Sequence, residues 1–321
     1  MKPDFPVHSS GGYIAAVGGM NADLAAKCFG DPIFGDSNPG TSRISAGGVC
    51  RNIAHNMALL GLDVKLITAV GEGFFAELLA ESCRKAGIDL SAALAVPGMY
   101  ASAYCYIANG EGEMQLAVAD MEICRRLTPG VMQERLPVLR GAEVLVLDTN
   151  LPEETVRFLC TETDCPVIAD PVSTAKAGKL SSVLHRLQTL KANRLEAELL
   201  SGVPIRDEGS ICAAAEALLE RGVGRVFLTL GEAGVLAADR EEMLRIPVRK
   251  DAVKISTTGC GDAFTAALVW AQMRGLGLRE SAAAGMAAAG IAMASEQTVN
   301  PDMSREKLER EMRYYRKTGQ D

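Results

Sequence analysis

Asp262 is the side chain best placed in this sequence to move a proton. It follows Gly259, Cys260 and Gly261 at the start of a segment rich in Ala, Phe, Leu and Val, which predicts a helix. The first turn of a helix has N–H groups without helical partners and the positive end of the helix dipole, so it favours phosphate. Asp262 could simply satisfy those N–H groups, or it could be a general base that deprotonates a hydroxyl attacking a phosphoryl group.

A second polar group enters another predicted helix at residues 45–61. Gly47 and Gly48 would let the backbone approach a ligand closely, and Asn52 offers both a donor and an acceptor to a diol. Asp23 follows a β-rich run near the N-terminus and could bind two vicinal hydroxyls. A loop entering a helix and a turn after a strand are the structural alternatives for these two segments.

The second half of the chain carries two further candidate ligand segments. Asn193 and Glu196 lie one helical turn apart, so they could face one ligand or a hydrated Mg²⁺, or could cap the start of a helix. Thr229, Gly231 and Gly234 lie at the end of a predicted buried strand. Ligands bind at the carboxyl ends of strands in open α/β sheets, so these positions are candidates for such a site.

The segments around these motifs predict an α/β fold. Short β-rich runs alternate with longer stretches of 3.6-residue periodicity, a pattern typical of βαβ units. The runs lie at residues 13–17, 64–70, 143–148, 166–170 and 225–230. We therefore expect a mostly parallel central sheet with helices on both faces.

Two segments, at about 28–46 and 98–120, break this alternation. They predict strands joined by glycine-containing turns, and N-G-E-G at 109–112 is typical of a hairpin. We expect them to form a small accessory β sheet. The chain has no Pro/Ser-rich linker and no repeat of fixed period, so residues 1–321 are expected to form a single domain.

Composition narrows the function classes. The net charge of −7 disfavours binding to nucleic acid or to an anionic membrane surface. Nine cysteines without a C-x-x-C pair argue against a disulfide framework and against a zinc site. The N-terminal sequence lacks the layout of a secretory signal, and no apolar run is long enough to span a bilayer. We therefore expect a cytoplasmic protein.

Several common catalytic motifs are missing from the sequence. It contains no G-x-x-x-x-G-K-[ST], no G-x-G-x-x-G opening a helix after a strand, no H-E-x-x-H and no G-x-S-x-G. P-loop kinases, classical dinucleotide dehydrogenases, zinc proteases of that type and α/β-hydrolases therefore lose support.

The order of the remaining motifs resembles that of the ribokinase-like, or PfkB, carbohydrate kinases. The motifs are N-x-D at 21–23, G-G-x-x-x-N at 47–52, N-x-x-E at 193–196, T-x-G-x-x-G at 229–234 and T-G-x-G-D at 258–262. The resemblance implies a ribokinase-like fold and ATP with Mg²⁺ as the phosphoryl donor. It also implies that the accessory sheet is a lid over the sugar and can form a homodimer contact.

The resemblance implies a role for each matching residue. Asp262 is the base, and the anion hole is formed by the N–H groups of Gly259, Cys260 and Gly261. The implied sugar contacts are Asp23, Gly47, Gly48 and Asn52. The implied nucleotide contacts are Asn193, Glu196, Thr229, Gly231 and Gly234, and Glu196 would also hold Mg²⁺ through water. Ser256 stands where many relatives carry an Asp associated with a monovalent cation, so a K⁺ requirement stays open.

Within this family, four segments resemble most closely the pseudouridine kinases, which phosphorylate the 5′-hydroxyl of a C-nucleoside. The segments are DSNPG at 36–40, GGVCRNIA at 47–54, LKANRLEAELLSG at 190–202 and TVNPDMS at 298–304. The likeness implies pseudouridine as the substrate and Asn38 as a contact with its ribose or base. Free ribose, another nucleoside or a ketohexose are alternative substrates. A relative that binds a nucleoside without catalysis is the alternative from another class.

Overall fold

The central sheet has eight strands in the computed structural model, which describes residues 12–317. Within that range the strands, in chain order, are β1 (Ile14–Val17), β2 (Asn21–Cys28), β3 (Gly40–Gly47), β4 (Val64–Ile67), β5 (Ala69–Glu72), β6 (Leu94–Tyr100), β7 (Ser102–Ala108), β8 (Met114–Asp120), β9 (Val144–Asp148), β10 (Val167–Asp170), β11 (Thr189–Asn193), β12 (Arg225–Thr229), β13 (Val235–Ala238) and β14 (Met243–Ile246).

Eleven α-helices connect or cover these strands within the same range. They are α1 (Val49–Leu59), α2 (Phe74–Lys85), α3 (Pro129–Glu134), α4 (Leu136–Arg140), α5 (Glu153–Glu162), α6 (Thr174–Ala177), α7 (Arg194–Ser201), α8 (Glu208–Glu220), α9 (Cys260–Gln272), α10 (Leu278–Met293) and α11 (Arg305–Lys317).

The central sheet is mostly parallel, as the alternation of strands and helices predicts. Its order is β14-β13-β12-β11-β10-β9-β1-β4, and only the β12–β13 and β13–β14 pairs are antiparallel. In β1, Ile14 and Ala16 pack into one hydrophobic cluster, whereas Ala15 and Val17 pack into another. Successive side chains of a strand point to opposite faces, so the prediction of helices on both faces is confirmed.

Three strands of this sheet were absent from the sequence prediction. The segment of β11 carries a candidate ligand motif but no long apolar run, and β13 and β14 are four-residue strands. Lys191 interrupts the apolar pattern of β11, yet its side chain is buried beside Asp170 on the neighbouring strand. A cross-strand ion pair of this kind cannot be inferred from local hydrophobicity.

A separate four-stranded sheet has the order β3-β2-β7-β8, and we call it the lid sheet. β2 pairs antiparallel with β3 and parallel with β7, and β7 forms a hairpin with β8. The N-G-E-G turn closes this hairpin, with the Asn109 N–H donating to the Glu113 carbonyl at 2.9 Å. The sheet begins at Asn21, earlier than the expected start near residue 28. Residues 29–39, which were expected to belong to the sheet, form a loop.

The remaining small sheet pairs β5 with β6, so residues 98–100 belong to it and not to the lid sheet. Between residues 12 and 317, no helix combines the length and apolar character needed to cross a bilayer. Residues 1–11, which contribute to the expectation that a secretory signal is missing, lie outside the described part of the chain. The single-domain organisation over 1–321 stays a prediction.

Candidate active site

Polar residues gather where the parallel strands of the central sheet end. Asp148, Asp170, Asn193 and Thr229 are the last residues of β9, β10, β11 and β12. The chain leaves β1 toward β4 on one side and returns to β9 on the other, so the connections reverse direction at β1. Such a reversal opens a crevice at the carboxyl edge of an α/β sheet. The starts of α1 and α9 lie at this crevice.

Asp262 lies in the first turn of α9, and its Oδ2 accepts a hydrogen bond of 2.9 Å from Nδ2 of Asn52 on α1. Burial of the carboxylate and repulsion by Asp170 raise its pKa to about 7, and Asp148 adds to the rise. Asn52 and Lys191 act in the opposite direction. A carboxylate with this pKa is partly deprotonated at neutral pH and still basic enough to accept a hydroxyl proton.

The backbone before Asp262 requires glycine at position 259. Gly259 has φ 81°, and a Cβ atom there would lie 1.9 Å from the Thr298 carbonyl oxygen. Cys260 starts α9, and its N–H donates back to the Thr257 carbonyl at 3.3 Å. The N–H groups that follow, in the first turn, have no helical acceptor, which suits phosphate oxygens. Gly259, Cys260 and Gly261 thus form the expected turn, and their anion-binding role stays a prediction.

Lys191 and Asp170 form a buried ion pair beneath this turn, with Nζ and Oδ2 2.9 Å apart. Thr265 also donates to Asp170 Oδ2, at 3.0 Å. Burial lowers the pKa of Lys191, but the carboxylates of Asp170, Glu196 and Asp262 outweigh burial and raise it. A Cβ atom at position 261 would lie 2.9 Å from Lys191 Nζ, so Gly261 makes room for this ammonium group. Lys191 is therefore a cation beside the proposed phosphoryl site.

Gly48 brings the start of α1 against the end of β1. It has φ 97°, and a Cβ atom there would lie 2.6 Å from Met20 Cα and 2.7 Å from the Gly19 carbonyl oxygen. At position 47 a Cβ atom would lie 2.2 Å from Asp23 Oδ2. Backbone contacts within the protein thus require glycine at position 48, whereas the close neighbour of position 47 is the Asp23 side chain. The contacts of Gly47 and Gly48 with a sugar stay a prediction.

Asp23 lies inside β2 and not in a turn after a strand. Its Oδ1 accepts a 2.6 Å hydrogen bond from Asn21, and burial raises its pKa. The Asp23 carboxylate lies against Gly47, which ends β3 just before α1 begins. Its contact with a sugar stays a prediction.

Asp148 was not singled out by sequence reasoning. Its two oxygens accept hydrogen bonds of 2.8–3.0 Å from the N–H groups of Gly19, Cys50 and Asn150 and from the Asn150 amide. Burial raises its pKa, and these four donors act in the opposite direction. Asp148 therefore joins the ends of β1 and β9 to the start of α1. Its occurrence at the end of the apolar run 143–148 was the available signal.

Asn193 and Glu196 form a reciprocal helix cap at the start of α7. Glu196 N–H donates to Asn193 Oδ1 at 3.0 Å, and Asn193 N–H donates to Glu196 Oε2 at 2.8 Å. Glu196 is 2% exposed, and burial raises its pKa, opposed by Lys191. Its second carboxylate oxygen could still accept a hydrogen bond from a water ligand of Mg²⁺, an ion that usually keeps several waters. Residues 12–317 contain no cluster of three or more His, Cys, Asp or Glu side chains that could hold a metal directly.

The nucleotide candidates border a groove of about 530 Å³ beside the ends of β11 and β12. Asn193, Thr229 and Gly231 line it, but Gly234 does not. A Cβ atom at position 231 would meet nothing within 4 Å, whereas one at position 234 would lie 2.1 Å from the Ile246 carbonyl oxygen. Gly231 is therefore open to a ligand, and Gly234 allows the close packing of β13 against β14.

Asn38 lies in the loop between β2 and β3. Its Oδ1 accepts the Ile33 N–H at 2.8 Å, and its Nδ2 donates to the carbonyls of Ile33 and Asp36 at 3.0 and 3.1 Å. The amide thus closes the loop on itself, and its contact with a ribose or base stays a prediction.

Comparison with known proteins agrees with this geometry. A family model described as pfkB family carbohydrate kinase matches residues 12–305. The chain is 33% identical to pseudouridine kinase of Escherichia coli strain K12 over 295 residues, covering 91% of this chain and 94% of that protein. It is 35% identical to the uncharacterized sugar kinase YeiI of the same strain over 293 residues, covering 91% and 81%. The crystal structure of Thermotoga maritima ribokinase superposes with a TM-score of 0.84 at 25% identity, covering 94% of this chain and 99% of that one.

Proposed function

Because the chain belongs to the pfkB family of carbohydrate kinases, we propose that it transfers the γ-phosphoryl group of ATP to the 5′-hydroxyl of pseudouridine. The observation that carries this proposal is the position of Asp262. Its carboxylate lies at the N-terminus of α9, at the carboxyl edge of the sheet, and its pKa is about 7. A base is needed only if the bound alcohol reacts, so this arrangement favours a kinase over a relative that binds a nucleoside without catalysis.

Asp262 accepts the proton in the proposed reaction. Bound ATP with Mg²⁺ supplies the phosphoryl group. As the hydroxyl oxygen bonds to phosphorus, its proton passes to Asp262, and the bond from phosphorus to the bridging oxygen breaks to leave ADP. Asn52 holds Oδ2 of Asp262, which leaves Oδ1 to face the hydroxyl.

The residues present fit a nucleotide with a hydrated metal ion. The first-turn N–H groups of α9 and the nearby Lys191 suit negatively charged phosphate oxygens. In this proposal Glu196 would bind Mg²⁺ through water, and the groove beside Thr229 and Gly231 would take part of the nucleotide. We propose that the lid sheet covers the sugar and excludes water, which would otherwise accept the phosphoryl group.

The choice of pseudouridine is supported by two considerations. The chain and the E. coli pseudouridine kinase align over nearly the full length of both. The four segments named above resemble that subgroup. The relative at 35% identity carries a name that specifies no substrate, so it favours none of the alternatives.

The substrate is tested by measuring ADP release with Mg²⁺-ATP and a panel of acceptors. We expect pseudouridine to give the highest kcat/KM among pseudouridine, uridine, adenosine, ribose and fructose. A preference for ribose, another nucleoside or fructose would contradict pseudouridine as the substrate but would still support kinase activity. An absence of turnover with every acceptor would favour the non-catalytic nucleoside binder.

We also propose that the protein forms a homodimer through the lid sheet. Ile44, Ile107, Leu116 and Val118 are 39–61% exposed. The strand registers place these four side chains on the face of the lid sheet opposite to Asp23. A second copy would remove this apolar surface from water.

A further inference from the structure

Arg51 is a buried cation that has no direct part in the proposed reaction. It precedes Asn52 on α1 and is 3% exposed. Its Nη1 donates to Asn52 Oδ1 at 3.1 Å and to the Ala46 carbonyl at 3.3 Å. Its Nη2 donates to the Ser82 hydroxyl on α2. The guanidinium group thus connects the end of the lid strand β3, helix α2 and the side chain of Asn52.

The contact with Arg51 determines which way the Asn52 amide faces. The amide has one acceptor oxygen and one donor nitrogen. Arg51 can only donate, so the oxygen faces Arg51 and the nitrogen faces Asp262, where it donates at 2.9 Å. A flipped amide would place its oxygen against the carboxylate and its N–H groups against the guanidinium. Both contacts would then be repulsive.

We propose that Arg51 is a positioning residue for the base: it fixes the Asn52 amide so that Nδ2 donates to Asp262 and holds the carboxylate toward the acceptor hydroxyl, on the premise that Asp262 is the base proposed above. Arg51 touches neither the acceptor nor the phosphates in this scheme. It acts only through Asn52.

Charged and titratable groups on several neighbouring elements act on Asp262 or are acted on by it. They are Asp148 on β9, Asp170 on β10, Lys191 on β11, Arg51 and Cys50 on α1, and Cys260 on α9. Burial raises the thiol pKa of both cysteines, so they are neutral near pH 7. Arg51 and Lys191 are the cations of this set. Loss of Arg51 removes one of them and frees the Asn52 amide, and both effects raise the pKa of Asp262.

The test is the pH dependence of kcat/KM for the acceptor in wild type and Arg51→Met. Met keeps the apolar stem but has no donor. In wild type we expect activity to fall below about pH 7, as Asp262 becomes protonated. In Arg51→Met this acid limb should move up by roughly 0.5–1 pH unit, so that kcat/KM at pH 6 falls about three- to tenfold. The KM for ATP should change little, because Arg51 lies away from the nucleotide groove.

Two further variants separate positioning from general structural support. Ser82→Ala removes the hydrogen bond from Arg51 to the Ser82 hydroxyl on α2 but keeps the bond to Asn52, so its acid limb should stay at the wild-type pH. Arg51→Lys keeps the charge but lacks the planar fork, so a smaller upward shift is expected. If Arg51→Met does not fold, as judged by circular dichroism, the test is the acid limb of kcat/KM in Arg51→Lys. An unchanged acid limb in every folded Arg51 variant would overturn the positioning role.

Failure of this inference can be distinguished from failure of the proposed function. A wild-type protein without turnover, or with no acid limb near pH 7, would remove Asp262 as the base. A wild-type acid limb that persists unchanged in the Arg51 variants would leave the kinase proposal intact and remove only the role of Arg51.

Discussion

Asp262 is suited to proton transfer at a cost to the stability of the folded protein. Burial raises its pKa from 3.8 to about 7. Between these two values the folded state keeps a proton that the unfolded state has released, so stability falls as pH rises through this window. Above pH 7 the carboxylate is ionised in both states, and the full penalty of burying it remains.

We therefore expect Asp262→Asn to be more stable than wild type at pH 8. The neutral amide avoids the penalty of a buried charge, and the gain should be roughly 1–2 kcal/mol. Urea unfolding at pH 8 and pH 5 measures it. The gain should be smaller at pH 5, where the wild-type carboxyl group is protonated in the folded state.

Asp148→Asn is the matched control for that experiment. Asp148 is fully buried, and its oxygens accept four hydrogen bonds, which an amide group cannot all accept. This variant should be less stable than wild type by about 2 kcal/mol or more. Destabilisation of Asp262→Asn by a similar amount at pH 8 would contradict the assignment of a raised pKa.

For individual residues, the sequence predicts the members of the motifs better than the side chains that contact them. The structure brings Asp262 and Asn52 together from motifs 210 residues apart. It adds Arg51, Asp170 and Lys191, which sequence reasoning did not single out. Their importance comes from burial and from pairing across strands or helices, and spacing along the chain carries no information on either.

Among the elements, the turn between β12 and β13 contains two glycines with different roles. Gly231 has φ 58° and open space around it, whereas Gly234 has φ 87° and close contact with the β14 segment. Substitution by Ala should distinguish them. Gly231→Ala should cost about 1 kcal/mol of stability for the left-handed backbone, and Gly234→Ala about 3 kcal/mol or more, since a backbone atom must also move.

Thermal or urea unfolding measures this pair, and ATP kinetics add a second readout. Because Gly231 lines the groove and Gly234 does not, Gly231→Ala should raise the KM for ATP while costing less stability than Gly234→Ala. Equal losses of stability in the two variants would contradict the distinction between a ligand-facing and a packing glycine.

Element types were more predictable than element bounds. Continuous apolar runs such as 143–148 identify buried parallel strands, because both faces of the sheet are covered. For the lid sheet, the sequence predicts a first strand that starts near residue 28, whereas β2 starts at Asn21. β2 carries Asn21, Asp23 and Lys27, and such polar residues in a half-exposed strand read locally as a turn.

For the whole molecule, the lid sheet has one face that carries Asp23 and an opposite, apolar face that carries Ile44, Ile107, Leu116 and Val118. If a second copy covers the apolar face, a charge placed there should disrupt the dimer. We expect size-exclusion chromatography with light scattering to show a dimer for wild type and a monomer for Val118→Lys, because a buried unpaired ammonium group is strongly unfavourable.

Ser181→Lys adds the same charge at an exposed position outside the lid sheet, so it should remain dimeric. A wild-type protein that is monomeric at micromolar concentration, or a Val118→Lys variant that remains dimeric, would contradict a homodimer formed through the lid sheet.

The architecture of the whole molecule places Asp262, the buried Lys191–Asp170 ion pair and the start of α9 at one edge of one sheet. The most direct test of the proposed chemistry is therefore the turnover number of Asp262→Asn with Mg²⁺-ATP and pseudouridine, beside wild type. The base role predicts a kcat lower by about 10²–10⁴-fold with nearly unchanged ATP affinity. An Asp262→Asn variant that turns over at the wild-type rate would contradict it.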